Sequence, residues 1–443
     1  MRMTHDEINV KHARTGFRDE TGEWYQLDNA AIIMPAISNV RNTSLFRMAV
    51  TLDHPVRLDD LNTALERVAK RFPYYMVELR RGFFWYYFQP LKEPIKAVSD
   101  LGWPCMGYNM HKRGAPLLRV RVAGARIAFE FSHILADGAG GGCFLTATLI
   151  EYFKERGIVA TPPSPTCDVS APPDPEEYED AYHRFYKPRI PIPGPLPRAY
   201  HLSSKLLPVG QCRAITGIVV ADDLVALAKA RKVSVTEFLT AVYLDSLIEL
   251  RTVQVQAGAR RLSPYVSLEV PVNLRRFYKT KSLRNFSLFV LPTIDTRLGT
   301  WTLDELAAYV HHYMGIENDE RRIATQISRN AGGGRKLVVR LIPLFIKNFF
   351  VKILYVALGE GLISGILSNL GTIQMPEELA PHLERFDFLG APSSTLKTFA
   401  ALCTWKGKTH IAFGSQAQSR ELERLFFKRL VALGLRVEVS SNM

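Results

Sequence analysis

The stretch Phe129-Glu130-Phe131-Ser132-His133-Ile134-Leu135-Ala136-Asp137-Gly138 decides how this chain is read. Phe129 and Phe131 alternate with Glu130 and Ser132, the period of a strand with one apolar face. The run stops at a histidine. Asp137-Gly138 follows, and Gly140-Gly141-Gly142 comes directly after it, so the strand delivers one imidazole to a glycine-rich turn that opens a helix. A neutral imidazole, titrating near pH 6.5, suits proton removal at physiological pH, which makes His133 the candidate general base. Asp137 is too close along the chain to assume a triad role, and it reads as the group that fixes the loop. Gly138 reads as a point of close backbone approach to a substrate.

Working outward, Leu45–Leu52 reads as a strand, and Arg57–Arg71 carries Leu58, Leu61, Leu65 and Val68 at helical spacing. Met76–Arg80 and Phe83–Phe88 pair as a hairpin about Arg81-Gly82. Leu117–Val122 and Arg126–Phe131 are strands, and Gly141–Phe153 is the helix after the histidine. Thr161–Pro197 holds eleven prolines and an acidic patch over Asp174–Asp180, so it reads as an extended crossover. Beyond it come strands at Ala214–Val220, Tyr265–Val270, Phe286–Pro292, Ile366–Leu370, Phe399–Trp405 and His410–Phe413. Helices are expected at Ala221–Ala230, after Ser234 with its Glu237 capping box, at Leu303–Met314 and at Ser419–Leu433. The expectation is a two-lobed α/β protein: residues 1–160 as the first lobe, 161–197 as the linker and 198–443 as the second.

Bulk properties narrow the class. At 443 residues the chain exceeds one core. A net charge of +13 implies an anionic partner: CoA phosphates, an acidic carrier protein, a membrane surface or nucleic acid. The five cysteines are scattered and form no Cys-x-x-Cys, which suggests a reducing compartment without disulfides or a zinc site. Met1–Trp24 is polar and has no secretory signal, so a cytoplasmic location is expected. There is no Gly-x-Ser-x-Gly elbow, phosphate-binding loop, dinucleotide fingerprint or metal-ligand cluster, which weakens hydrolase, NTPase and dehydrogenase readings.

The His-x-x-x-Asp-Gly of His133, Asp137 and Gly138 resembles the active-site motif of acyltransferases related to chloramphenicol acetyltransferase and to peptide-synthetase condensation domains. The resemblance implies two lobes, each a mixed sheet with flanking helices, meeting at a central tunnel. His133 would then be the base, and Asp137 would face an arginine from the other lobe. Pro271-Val272-Asn273-Leu274-Arg275-Arg276-Phe277 resembles the Pro-Val-Asn-x-Arg segment of the same superfamily, which offers Arg275 as that arginine; on composition alone it is a surface turn with solvated cations. Asn285-Phe286 is a further match. Ser368-Asn369-Leu370-Gly371 resembles the loop flooring the channel, where Ser368 or Asn369 would steady an oxyanion; an ordinary Asn-x-Gly turn is the other reading. Ser132 stands where condensation domains commonly carry a second histidine, which disfavours peptide-bond formation.

The block Trp24-Tyr25-x-Leu27-Asp28-Asn29-Ala30-Ala31, with Arg71-Phe72-Pro73 and Gly82-Phe83-Phe84-Trp85-Tyr86-Tyr87, closely resembles bacterial proteins described as alcohol acetyltransferases. The aromatic cluster in it is expected in the core. The implied co-substrate is acyl-CoA, acetyl-CoA foremost, with no permanently bound cofactor. The implied acceptor is a small alcohol or amine, and an acyl carrier protein is an alternative donor; no nucleic acid is expected. The rival is a non-catalytic relative that binds lipid or a carrier protein at a membrane surface. Arg335–Leu358 bears on it: this basic amphipathic run either lies on an anionic bilayer or covers the second lobe. Cations and Pro343 exclude a spanning helix, and a packed helix without vesicle binding is the expectation.

Overall fold

A computed structural model describes residues 16–19, 22–187, 194, 196–335 and 337–443. Most of the N-terminal stretch read for a signal, part of the proline-rich linker and Lys336 lie outside the described residues.

The strand leading to His133, Arg126–Ser132, pairs antiparallel with Leu45–Leu52 on one side and Leu118–Ala123 on the other. Phe129 and Phe131 turn to the helix face and pack on Phe144 of the helix Gly138–Glu155, while Phe46 stacks on Phe131 at 5.2 Å. The helices Leu58–Arg71 and Gly138–Glu155 cover this face, as strand alternation and the helical stripe predict. The other face buries charge. Glu130 is fully buried and takes Arg47 at 3.1 Å, Arg119 at 2.8 Å and Arg121 at 3.0 Å. A carboxylate without contact to water persists only where cations and hydrogen bonds replace its hydration. A separate four-stranded sheet runs Gly16–Asp19, Gly22–Gln26, Tyr86–Pro90, Val77–Arg81.

The second lobe is built on one mixed sheet, in the order Ser287–Val290, Tyr265–Asn273, Gly365–Thr372, Thr398–Trp405, Lys408–Ser415, Arg213–Val220, Glu438–Ser441. Its central pairings, Tyr265–Asn273 with Gly365–Thr372 and that strand with Thr398–Trp405, are parallel. Val235–Gln256, capped as expected by Ser234 and Glu237, is its longest helix, and it packs with Leu303–Glu317 and Glu421–Ala432.

Three expectations need correcting. The first concerns the lobe boundary. Leu383–Gly390, in the second half of the chain, crosses back and pairs antiparallel with Leu45–Leu52, completing the first lobe's sheet. Division at the linker does not account for it. The pairing closes an otherwise open sheet edge, and Gly390 passes so near the second sheet that an added Cβ would lie 2.5 Å from the Phe399 ring.

The second concerns the linker, which contains short helical turns at Pro165–Cys167, Pro175–Tyr178 and Ala181–Arg184. Its acidic patch is a bolt. Buried Glu177 takes both terminal nitrogens of Arg71 at 2.6 Å and the Tyr74 hydroxyl at 2.7 Å, while its backbone carbonyl accepts from Leu283 N at 2.6 Å. The crossover therefore joins both lobes.

The third concerns Arg335–Leu358. Pro343 breaks the run into Leu337–Leu341 and Leu344–Leu358, as a ring lacking an N–H must. The second piece buries Leu344 but leaves Phe345, Phe349, Phe350 and Ile353 more than half exposed, so its apolar positions are not buried as the expected packed helix would bury them. The aromatic cluster divides likewise: Tyr86 and Phe88 are core, whereas Phe83 and Trp85 stand exposed at the hairpin tip.

Candidate active site

His133 leaves its strand with its backbone N–H on Ser44 O at 2.8 Å and its ring against Phe46, 4.8 Å between centroids. Its Nδ1 lies 3.3 Å from Asn285 Oδ1. The orientation of that amide follows from its other bonds, because Asn285 Nδ2 donates to His133 O at 2.8 Å and to Asp28 Oδ2 at 2.9 Å. The backbone carbonyl has no proton to give, so the amide nitrogen must face it, and Oδ1 faces the imidazole and can only accept. Nδ1 therefore carries the proton, and Nε2 keeps its lone pair. Burial pushes the His133 pKa below the usual histidine value, with the Asn285 bond and the Asp137 charge opposing. The ring is neutral at neutral pH.

Asp137 caps the helix that follows. Its Oδ1 accepts from Ala139 N at 3.2 Å and Gly140 N at 3.1 Å, satisfying amides that the first turn leaves without partners. Its Oδ2 accepts from Arg275 Nη1 at 2.8 Å and from Phe286 N at 2.9 Å. Arg275 also donates to Ser282 O at 2.9 Å and Arg284 O at 2.6 Å, so the guanidinium is clamped where the lobes meet. Asp137 and Arg275 thus touch, and both carboxylate oxygens of Asp137 are taken up by these bonds.

The glycines have steric reasons. A Cβ on Gly140 would sit 2.0 Å from Leu283 O, a carbonyl that already accepts from the Tyr75 hydroxyl at 2.7 Å. At Gly138 the obstruction is the Leu370 side chain at 2.7 Å. Lobe packing demands glycine at 140, where the obstruction is backbone, whereas the end of the Leu370 side chain can yield at 138.

Of the two oxyanion candidates, Asn369 is engaged: Nδ2 donates to Thr236 Oγ1 at 2.9 Å and Oδ1 accepts from Gly371 N at 2.7 Å, with Gly371 at φ +74°. That is the Asn-x-Gly turn. Ser368 lies one residue earlier and lines the cavity.

The cavity lies between the lobes and measures about 2260 Å³. His133, Asp137 and Gly138 line it from the first lobe, and Arg275, Asn285, Ser368 and Asn369 from the second. This volume exceeds that of a drug-sized pocket. Arg276, Arg322 and Arg329 also line it, on neighbouring segments, since the helix Glu320–Arg335 packs on Leu274, Phe286 and Leu288. Glu269 is a half-buried acid in the lining, pushed up to about 7 by desolvation and by Glu360. Cys143 and Cys167, far apart in sequence, meet in the wall with their sulfurs 2.8 Å apart.

Sequence reasoning passed over two contributors, Asn285 as the partner of the imidazole and Asp28 as the anchor of Asn285. Burial and then the Asp180 carboxylate push Asp28 up to about 7, against the bonds from Asn285 and Ala31. Both stand in stretches that carry the resemblance, but no local pattern shows that they meet, since 257 positions separate Asp28 from Asn285.

No family model and no curated protein matches the sequence. Solved structures do match in fold. TRI101 of F. sporotrichioides, complexed with coenzyme A and T-2, aligns at TM-score 0.63 and 11% identity over 94% of this chain and 99% of its own. The starter condensation domain of rhizomide synthetase, as a mutant in complex with C8-CoA, aligns at 0.59 and 14% identity over 97% of each chain. The trichothecene 15-O-acetyltransferase TRI3 of Fusarium sporotrichioides aligns at 0.56 and 13% identity over 92% of this chain and 94% of its own. With two sheet-and-helix lobes enclosing a histidine-bearing cavity, the chain has the fold of these acetyltransferases and of the condensation domain.

Proposed function

We propose that the protein is an acyltransferase that moves an acyl group, acetyl in the simplest case, from a CoA thioester to an alcohol or amine, with His133 as general base. One observation carries this reading: Asn285 holds the proton of a neutral imidazole on Nδ1, leaving the basic Nε2 on a ring that lines the interlobe cavity. Nε2 takes the acceptor's O–H or N–H proton as its heteroatom bonds to the thioester carbonyl carbon. The carbonyl electron pair moves to oxygen, where the Ser368 hydroxyl is the candidate donor to the resulting oxyanion. The pair returns, the C–S bond breaks, and the departing thiolate takes the proton held on Nε2. Acyl group and proton are both accounted for, and no covalent enzyme intermediate forms. Asp137 and Arg275 position the loop without touching the reacting atoms.

Coenzyme A is a polyanion, and Arg276, Arg322 and Arg329 supply cations in the lining suited to its phosphates. The neighbours solved in complex with coenzyme A or C8-CoA support a thioester donor. The test is release of free thiol from acetyl-CoA with a panel of alcohols and amines, for the parent and His133→Ala. Loss of a general base costs about 100- to 10,000-fold. Turnover by the variant within a few-fold of the parent defeats the assignment.

A further inference from the structure

We propose that the helix Leu344–Leu358 and the adjacent aromatic hairpin tip form a docking surface for an anionic lipid bilayer, and that the acceptor carries an apolar tail drawn from that bilayer. The acceptor class rests on the acyl-transfer reading above; the docking does not.

The helix has two sides. Leu344, 5% exposed, and Asn348 hold it to the protein, while Phe345 is 61% exposed, Phe349 62%, Phe350 55% and Ile353 52%. Positions 345, 349 and 353 lie four apart and form one stripe, and 350 widens it. The hairpin tip extends the surface, with Phe83 69% and Trp85 50% exposed. The two elements are bonded into one face: Leu344 N donates to Phe83 O at 2.8 Å, Lys347 Nζ to Phe84 O at 2.9 Å and Asn348 Nδ2 to the Tyr86 hydroxyl at 2.8 Å. Six large apolar side chains on one continuous face exceed the scattered exposure normal for a monomer.

Charge selects the occupant. From Arg335 to Leu358 the sequence holds five cations and no aspartate or glutamate, and exposed Arg340 and Lys352 accompany the apolar stripe. Apolar and aromatic side chains flanked by cations suit the headgroup boundary of an anionic leaflet. A protein interface is depleted of lysine relative to the rest of the surface, unlike this face with Lys352 beside its stripe. Among the described residues no helix is long and apolar enough to cross a membrane, so the element would lie on the bilayer. The face also adjoins the cavity. Val351 and Leu354 of the same helix line it, as do Ile33 and Met34 of the segment against which the helix packs. An apolar tail leaving the bilayer would meet these side chains on its way inward.

The test is co-sedimentation of the whole protein with vesicles of phosphatidylcholine alone and of phosphatidylcholine and phosphatidylserine in equal parts, at low and high salt. Binding to the anionic vesicles is expected, weakened by salt and by Arg340→Gln with Lys352→Gln, about fivefold for each cation removed. Phe345→Asp with Phe349→Asp should abolish it, with circular dichroism confirming that this variant is folded. Should that variant unfold, the cation variant and the salt dependence still decide. No sedimentation with either vesicle overturns the proposal. So does concentration-dependent dimerisation abolished by the same aspartates with no vesicle binding, which would assign the face to a second copy of the chain. For the acceptor, thiol release is compared with a long-chain alcohol in vesicles and a short alcohol in water. The aspartate variant should lose turnover of the first and keep that of the second; equal turnover of both by parent and variant overturns the acceptor class. Failure to acylate any acceptor would sink the acyl-transfer reading while sedimentation still judges the docking.

Discussion

Asn285 accepts from the ring of His133 at 3.3 Å and donates to the backbone carbonyl of the same residue at 2.8 Å. One side chain from the second lobe thus sets both the tautomer and the position of the candidate base in the first. An acid would have to span the same gap as an anion beside a buried, neutral ring; the amide does it without charge. Asn285→Ala should lower turnover by about 2- to 12-fold, the worth of one intramolecular hydrogen bond. Asn285→Asp should shift the acid limb of the pH profile upward, because a carboxylate stabilises the imidazolium. Steady-state kinetics across pH check both; an unchanged profile in Asn285→Asp would mean that the two side chains do not interact.

The pH dependence of the parent follows from burial of His133. Its pKa in the folded protein lies below 6.5, and the neutral form is the active one. Activity should therefore be level through neutral pH and fall only as pH drops through that depressed value. For stability the sign is the same: the buried neutral ring disfavours protonation in the folded state, so this group's contribution is present above the unfolded value and declines as pH falls below it. An acid limb in kcat/KM centred well above 6.5 would contradict the neutral-base reading.

Asp137 and Arg275 should be coupled far more strongly than surface ions, being 2.8 Å apart with side chains 7% and 16% exposed. Removing one partner of a buried pair costs about 3–5 kcal/mol. Asp137→Asn and Arg275→Gln should each lower the denaturation midpoint, and the double variant should lose much less than the sum of both. Urea unfolding of the four proteins measures this, with additive losses as the contrary result.

Arg322 and Arg329 are offered to the phosphates of the acyl donor. Arg322→Gln with Arg329→Gln should raise KM for acetyl-CoA and leave kcat close to the parent's, because these groups bind ground and transition states alike. The KM of the parent should itself rise with salt. A fall in kcat at constant KM would place these arginines elsewhere in the reaction.

Much of this protein is determined by its sequence alone, and it is the local part. Alternation about Phe129 and Phe131, the Ser234–Glu237 capping box, the stop at His133 and the glycine-led helix after it depend on neighbours within a few residues, so their patterns announce them. The meeting of Asp137 with Arg275 was legible only through resemblance to a motif. What remained belongs to tertiary structure. Leu383–Gly390 alternates like many strands, and only the open edge beside Leu45–Leu52 says which sheet takes it. Glu177 is one of several acids in its segment until Arg71 arrives from more than a hundred residues away. The Asp28–Asn285–His133 chain joins three parts of the chain that share no spacing. The helix Leu344–Leu358 has a composition equally at home in a core or on a bilayer, since hydrophobicity says that a face avoids water but not what covers it. Only the tertiary structure shows that no described element packs over Phe345, Phe349 and Ile353.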